Sequence, residues 1–341
     1  MKPSDPLHRL PMTLCPTALR LPGRPWLLLV ALLFASAAQA FDLQGHRGAR
    51  GLEPENTLAA FEHALAIGVT TLEMDAAISA DGVVVVSHDP ALNPALTRDA
   101  HGEWLKSRGP LIKSLGFAEL QTYDVGRVDP SSAYGRQFPG QQARDGERLP
   151  KLAAVFARVK ELGADTVRFD IETKVFPTRP DDTLAPEPFV RALLGVIRDA
   201  GMTSRVMIQS FDWRTLKLVQ QLEPGMPTMY LTVRGRNFDN LDGGTWTGGL
   251  LLRDFASVGH MVRAAGGTIW APAFADLSAQ AVKGAQQLGL QVIPWTVNQP
   301  ADAERLIDWG VDGLISDYPD RMREVLQRRG IAVPAPVGPR R

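Results

Sequence analysis

His46, Arg47 and His88 and a closely spaced pair of carboxylates, Glu73 and Asp75, fall between Gly45 and Asp89, at the ends of apolar runs. Glu73 and Asp75 sit in Thr71-Leu72-Glu73-Met74-Asp75. In an extended segment alternate side chains share a face, so both carboxylates point one way and Leu72 and Met74 the other. Like charges on one face raise each other's pKa unless a cation lies between them. Oxygen ligands favour a hard ion, Mg2+ or Ca2+, over zinc. His46 follows Phe41 and Leu43 and enters a turn with Gly48 and Gly51, where backbone can approach a ligand closely. His88 ends Val83-Val84-Val85-Val86-Ser87. Imidazole suits proton transfer near neutral pH, and two of them flanking a carboxylate pair read as acid/base candidates.

A third carboxylate comes from Val167 to Lys174. Phe169, Ile171 and Thr173 take one face, and Asp170, Glu172 and Lys174 the other. Glu172 can complete a three-carboxylate site with Glu73 and Asp75, while Lys174 and Arg47 suit an anionic group such as phosphate. Taken alone, Glu172 and Lys174 read equally well as a surface pair at a strand end.

The elements that must position these groups alternate. After the strand at Leu43 a helix begins near Pro54, with Asn56 or Thr57 able to cap it, Leu58, Phe61 and Leu65 at helical spacing, and Gly68 to end it. His63 on this helix has no evident partner and reads as surface. Strands are expected near Leu43 and Thr70, then at Val167 to Lys174, Arg205 to Ser210, Pro227 to Thr232, Gly267 to Ala271, Gln291 to Val297 and Val311 to Ser316. Between them lie helical patterns such as Leu152 to Leu162, Phe189 to Ala200 and Ala301 to Trp309. Residues 91–148 are rich in Pro, Gly, Arg, Asp and Gln and read as an insertion after the second strand region, over the barrel mouth, with a short helix from Leu111 to Leu120 and an exposed His101. Eight such units make a closed barrel or a doubly wound sheet. No GxGxxG follows a strand, and polar residues such as His46, Asp75, Lys174, Ser210, Asn298 and Asp317 stand at strand ends. The expected fold is therefore α/β, a (β/α)8 TIM barrel whose mouth these residues ring.

The 341 residues carry 37 basic and 37 acidic side chains. The first 40 hold four Lys/Arg and one Asp, leaving 33 basic against 36 acidic, net −3, with no patch suited to nucleic acid. Arg20 and Arg24 precede the apolar run Trp26 to Ala35, and Ala38-Gln39-Ala40 offers small residues at a cleavage site. Residues 1–40 thus read as a secretory signal, with Met12 an alternative start and the mature chain beginning near Phe41, exported to periplasm or medium without stable membrane insertion. The single cysteine, Cys15, precedes the run, so the mature chain has no thiol. Residues 41–330 form the barrel domain and 331–341 a flexible tail.

HRGARGLEPENT with His46 and Arg47, LEMD with Glu73 and Asp75, SHD with His88, IETK with Glu172 and Lys174, WTVN from Trp295 and GVDGLISDYP from Gly310 stand in order along Phe41 to Leu326. Together they resemble the glycerophosphodiester phosphodiesterase family. The resemblance implies a barrel with an insertion, a divalent cation, Mg2+ or Ca2+, held by Glu73, Asp75 and Glu172, acid/base roles for His46 and His88, and phosphate contacts from Arg47 and Lys174. Trp295 is expected to line the mouth and pack on glycerol carbons. Asp170 stands where the family more often has a neutral polar residue, which would add a negative charge below the metal. The expected activity is hydrolysis of glycerophosphodiesters to glycerol 3-phosphate and an alcohol. The alternatives are a lysophospholipase D-type enzyme, with an apolar mouth drawn from Trp104, Phe117, Phe138, Trp246 and Phe255, and a non-catalytic phosphate-ester binder.

Overall fold

The structure, a computed structural model, describes residues 41–338; the expected leader and its cleavage site lie outside the described residues. Eight parallel strands form the barrel: β1 (Asp42–Gly45), β2 (Thr71–Ile78), β4 (Arg168–Thr173), β5 (Val206–Ser210), β6 (Thr228–Thr232), β7 (Ile269–Pro272), β8 (Gln291–Val292) and β9 (Gly313–Ser316). They run in the spatial order β8-β7-β6-β5-β4-β2-β1-β9. Backbone hydrogen bonds close the seam between the end strands, from Asp312 N to Val292 O at 2.9 Å, Ile315 N to Pro294 O at 3.0 Å and Val297 N to Ile315 O at 2.9 Å. The regular part of β8 is shorter than expected because Pro294 has no N–H to donate.

The helices are α1 (Leu58–Ile67), α2 (Phe117–Leu120), α3 (Leu152–Glu161), α4 (Pro186–Asp199), α5 (Trp213–Leu222), α6 (Val258–Ala264), α7 (Ala279–Gln287), α8 (Pro300–Asp308) and α9 (Pro319–Arg328). The larger ones bury one face against the strands. In α4, for example, Phe189, Val190, Leu193, Leu194 and Ile197 recur at helical spacing. The first helix begins at Leu58 rather than near Pro54, because Asn56 is left-handed (φ 58°) and the Thr57 side chain accepts from Ala60 N as its N-cap. Gly68 ends it in the left-handed region.

The run at Val83 is not a barrel stave. Its residues form β3 (Val84–Val86), antiparallel to the far end of β2 with Ala77 opposite Val85, and this return brings His88 back beside Asp75. Ser87 N donates to Asp75 O at 2.9 Å. The following insertion builds a small core of its own on this hairpin, where Ala77 and Val85 meet Leu92, Ile112, Leu120 and Leu149. Its expected helix is split into a 3-10 turn, Ile112–Ser114, and the one-turn α2, because Leu115 and Gly116 between them are extended. Residues 331–338, expected as part of a flexible tail, pack Ile331, Val333 and Val337 on the core, and Val337 N donates to Leu65 O at 2.8 Å.

The barrel interior is divided. Met207, Met229, Leu231, Ile269, Ala271, Ile293 and Ile315 fill the side supplied by β5 to β9. Across from them, β1, β2 and β4 bury Gln44, Glu73, Asp75, Asp170 and Glu172. Polar groups buried together must find partners in one another or in a ligand, so the acidic half defines where chemistry can occur. Among the described residues no helix is long and apolar enough to cross a membrane.

Candidate active site

Adjacent register on β2 and β4 sets Asp75 opposite Glu172, and Glu73 lies two residues back on the same face. All three are buried, and one ligand oxygen from each lies within 4.8 Å of the others. Glu73 accepts from Arg47 N and from Gln209 Nε2, both at 2.7 Å. Asp75 Oδ2 accepts from Asn56 Nδ2 at 2.9 Å and faces Arg47 Nε at 3.2 Å, whereas its Oδ1 has no hydrogen-bond partner. Glu172 accepts from Lys174 Nζ at 2.9 Å.

Burial, reinforced by Asp75 and Asp170, raises the pKa of Glu73 well above the usual range. Burial also lifts Glu172 to about 7 against the opposing pull of Lys174. Burial acts upward on Asp75 too, but Arg47, His88 and Lys174 outweigh it and hold that carboxyl well below the usual range. An orphaned carboxylate oxygen beside two carboxyls that resist ionisation is a donor set suited to a hard dication, and these residues fit one.

The same enclosure bears on Asp170. Its side chain is fully buried and neither carboxyl oxygen has a hydrogen-bond partner. Burial, with Asp42 and Glu172 nearby, raises its pKa well above the ordinary value, which works against a negative charge at this position.

Each candidate histidine has a carboxylate behind it. His46 Nδ1 lies 2.6 Å from Asp317 Oδ1, which leaves Nε2 on the side of Glu73, 3.9 Å away. Asp317 in turn accepts from Arg50 Nε at 2.6 Å and Asn298 Nδ2 at 2.8 Å. Burial, then Arg50, lowers the His46 pKa to about 4 despite Asp317. His88 Nδ1 lies 2.9 Å from Asp89 Oδ1, and Asn93 holds the other oxygen of Asp89 at 2.6 Å. Burial, then Arg47 and Lys174, lowers the His88 pKa.

Arg47 is buried and ion-paired, with Nη1 2.7 Å from Glu55 Oε1. Its backbone is left-handed (φ 50°), as is that of Asn56, whose N–H donates to Arg47 O at 3.0 Å. Such conformations cost a non-glycine residue about 1–2 kcal/mol each. Here both aim groups at the carboxylates: the Arg47 N–H at Glu73 and the Asn56 amide at Asp75.

Of the eight side chains singled out in the sequence, all but Asp75 line one cavity of about 120 Å3. Trp295 is half-buried there, donates to Ala271 O at 2.8 Å and meets Phe211 edge-on at 5.4 Å between ring centres. Of the five aromatic residues expected at the mouth, Trp246 joins this wall, through Phe238, which packs on Phe211. Phe138 instead packs on Tyr134 of the insertion, Phe117 belongs to the insertion core, Trp104 lies near Arg98, and Phe255 packs on the outer core. His101 is exposed as expected, but His63 is paired: its Nδ1 lies 2.9 Å from Glu53, which also takes two hydrogen bonds from Arg144.

Sequence reasoning passed over Arg50, Glu55, Gln209, Phe211 and Tyr134, and noted Asp317 only as a polar strand end. Arg50, Glu55 and Asp317 all lie inside the motifs, a signal that could have found them. Gln209 shares the inward face of β5 with Met207, which alternation could have shown. Nothing local marks Tyr134.

A parallel barrel with a buried acidic cluster, carboxylate-braced histidines and an Arg/Lys pair at one mouth carries the groups that an enzyme acting on phosphate esters needs. The family model for the glycerophosphoryl diester phosphodiesterase family matches residues 46–321, and the chain belongs to that family, a family of phosphoric diester hydrolases. It is 28% identical to a glycerophosphodiester phosphodiesterase of Bacillus subtilis (strain 168), over 82% of this chain and 84% of that one. A solved structure from Silicibacter pomeroyi DSS-3, assigned the same activity by inference, is 36% identical with a TM-score of 0.78, covering 86% of this chain and 96% of the other. The fold also matches an Oleispira antarctica phosphodiesterase solved with sn-glycerol-3-phosphate, at 21% identity and a TM-score of 0.64, over 84% and 96% of the two chains.

Proposed function

We propose that this chain hydrolyses glycerophosphodiesters to glycerol 3-phosphate and an alcohol, with Glu73, Asp75 and Glu172 holding Mg2+ or Ca2+ and with His46 and His88 moving the protons. The observation that carries this reading is the pair of imidazoles braced by Asp317 and Asp89 at a cavity walled by the three-carboxylate cluster. A hard dication bound there supplies Lewis-acid stabilisation of charge on the phosphoryl oxygens. Lys174 and Arg47 line the same cavity, and their positive charges draw the phosphate in. With a pKa near 4, His46 is a neutral imidazole at working pH, its Nδ1–H committed to Asp317 and its Nε2 free to accept a proton from an attacking water, or from a glycerol hydroxyl whose cyclic phosphate water then opens. His88 is lowered in part by Arg47 and Lys174, the cations a bound phosphodiester neutralises, so substrate favours its protonated form and it protonates the leaving alkoxide.

The cavity is smaller than the roughly 300–1,000 Å3 of typical ligand pockets, so it takes the phosphate and its neighbouring carbons while the rest of the diester extends outward. Phe211, Trp295, Phe238 and Trp246 offer an apolar wall for that extension, which favours lysophospholipase D-type turnover as a second reading. Purified protein assayed on glycerophosphocholine and on lysophosphatidylcholine tests both: glycerol 3-phosphate release from the first supports the leading reading, faster turnover of the second supports the other, and binding without turnover of either defeats both.

A further inference from the structure

Tyr134 comes from the insertion, yet it touches the supports of both sides of the site. Its hydroxyl donates to Glu55 and accepts from Arg50 Nη1 at 3.1 Å. Arg50 carries on to Asp317 and from there to His46. Glu55 carries on to Arg47 and from there to Asp75. One phenol therefore closes two relays that reach the candidate base and a candidate ligand. Its surroundings hold it in place. The ring meets Phe138 edge-on at 5.3 Å, and the Arg50 guanidinium lies 5.2 Å from the centre of the Phe138 ring. The insertion is also tied to the same loop further along, through Gln141 Nε2 to Arg50 O at 2.7 Å and Gln142 N to Leu52 O at 2.8 Å, and through the Arg144 fork on Glu53.

A hydroxyl is needed at this point for a physical reason. Arg50 and Glu55 carry opposite charges in a largely enclosed site, and each already has a second partner. A group that donates to the acid and accepts from the base completes both without adding charge. Burial, then Glu55, raises the Tyr134 pKa, so the phenol stays a donor. Polar networks of this kind, fully satisfied, hold their members in one arrangement.

We propose that Tyr134 is a positioning residue by which the insertion orients His46, through Arg50 and Asp317, and Arg47, through Glu55. The proposal rests on the reading of His46 as a proton-transfer group, but its orienting half does not require turnover to be observed. Tyr134→Phe keeps the ring on Phe138 and removes the hydroxyl. The expected outcome is a kcat lowered at least ~10-fold through His46, with any rise in KM, through Arg47, smaller than the fall in kcat, the split expected when a group acts more on the reacting geometry than on uniform binding. Its penalty combined with that of Asp317→Asn should be less than multiplicative, since both act along one relay.

The second readout is the downfield proton resonance of the His46–Asp317 hydrogen bond, assigned by its loss in His46→Gln, which should shift or broaden in Tyr134→Phe. That signal decides the orienting role even if the wild type turns over no glycerophosphodiester, an outcome that would defeat the functional reading alone. An unmoved signal overturns the proposal, whether or not the melting temperature falls, because the hydroxyl would then serve only to hold the insertion. An unchanged kcat in an active protein overturns it equally.

Discussion

Asp317 and His46 are 271 residues apart in sequence and 2.6 Å apart in space, just beyond the ends of β9 and β1, which pair in parallel. Pairing of the last strand with the first therefore makes the brace, and the residue after the last strand holds Nδ1 of His46 and leaves its Nε2 on the side of Glu73.

From that relationship, His46→Ala should lower turnover at least ~10²-fold with little change in melting temperature, and His88→Ala likewise. Asp317→Asn should keep the fold but lower kcat by roughly 10- to 100-fold, because an amide can stabilise the wrong tautomer. Steady-state kinetics of the three variants check this; a near wild-type rate for any of them removes that residue from the mechanism.

Asp170 gives a pH dependence of known sign. Below about pH 4 the unfolded and folded states both carry its proton. As pH rises, the unfolded carboxyl ionises while the buried one, with its pKa raised, keeps its proton, so the unfolded state binds fewer protons and stability falls until the folded pKa is passed. Asp170→Asn should be more stable than wild type at neutral pH by at least ~2 °C, with the gap closing near pH 4. Thermal melts in chelator across pH 4 to 8 measure it, and a gap that widens toward acid would contradict a neutral buried Asp170.

The leader reading remains an expectation about residues 1–40 and has its own check. From the basic residues Arg20 and Arg24, the run Trp26 to Ala35 and Ala38-Gln39-Ala40 we propose that the exported chain starts at or near Phe41. N-terminal sequencing of the exported form that reads from Met1 or Met12 would overturn it.

The eight staves were legible because apolar runs alternate with amphipathic helices throughout, and the carboxylates were legible because a period of two assigns Glu73 and Asp75 to one face whatever their neighbours. The run at Val83 shows where this stops: five apolar-rich residues mark a strand but not the direction of its pairing, so a hairpin return looked like another strand end. Backbone sign is equally hidden. Arg47 and Asn56 are left-handed with no glycine to announce it, held there by the carboxylates they serve. Tyr134 meets Arg50 and Glu55 from 84 and 79 residues away, in a segment with little periodicity, and only tertiary packing brings them together.

Glu172 decides whether the acidic half of the barrel is one metal site or two unrelated features. If Glu73, Asp75 and Glu172 share an ion, chelation should abolish activity, and Mg2+ or Ca2+ should restore it while raising the melting temperature, because a ligand bound only by the native state stabilises that state by mass action. Glu172→Gln preserves shape and removes one ligand charge, so the metal concentration giving half-maximal activity should rise at least ~10-fold, within the range expected for altering a ligand set. Lys174 sharpens the test, since it pairs with Glu172 at 2.9 Å and stands 3.7 Å from Asp75. Were Glu172 only its ion-pair partner, the substitution would leave Lys174 with Asp75 and the metal requirement where it was. An unchanged half-maximal concentration in Glu172→Gln would therefore refute the three-carboxylate site, while a raised one with kcat recovered at saturating metal would assign Glu172 to holding the ion rather than to proton transfer.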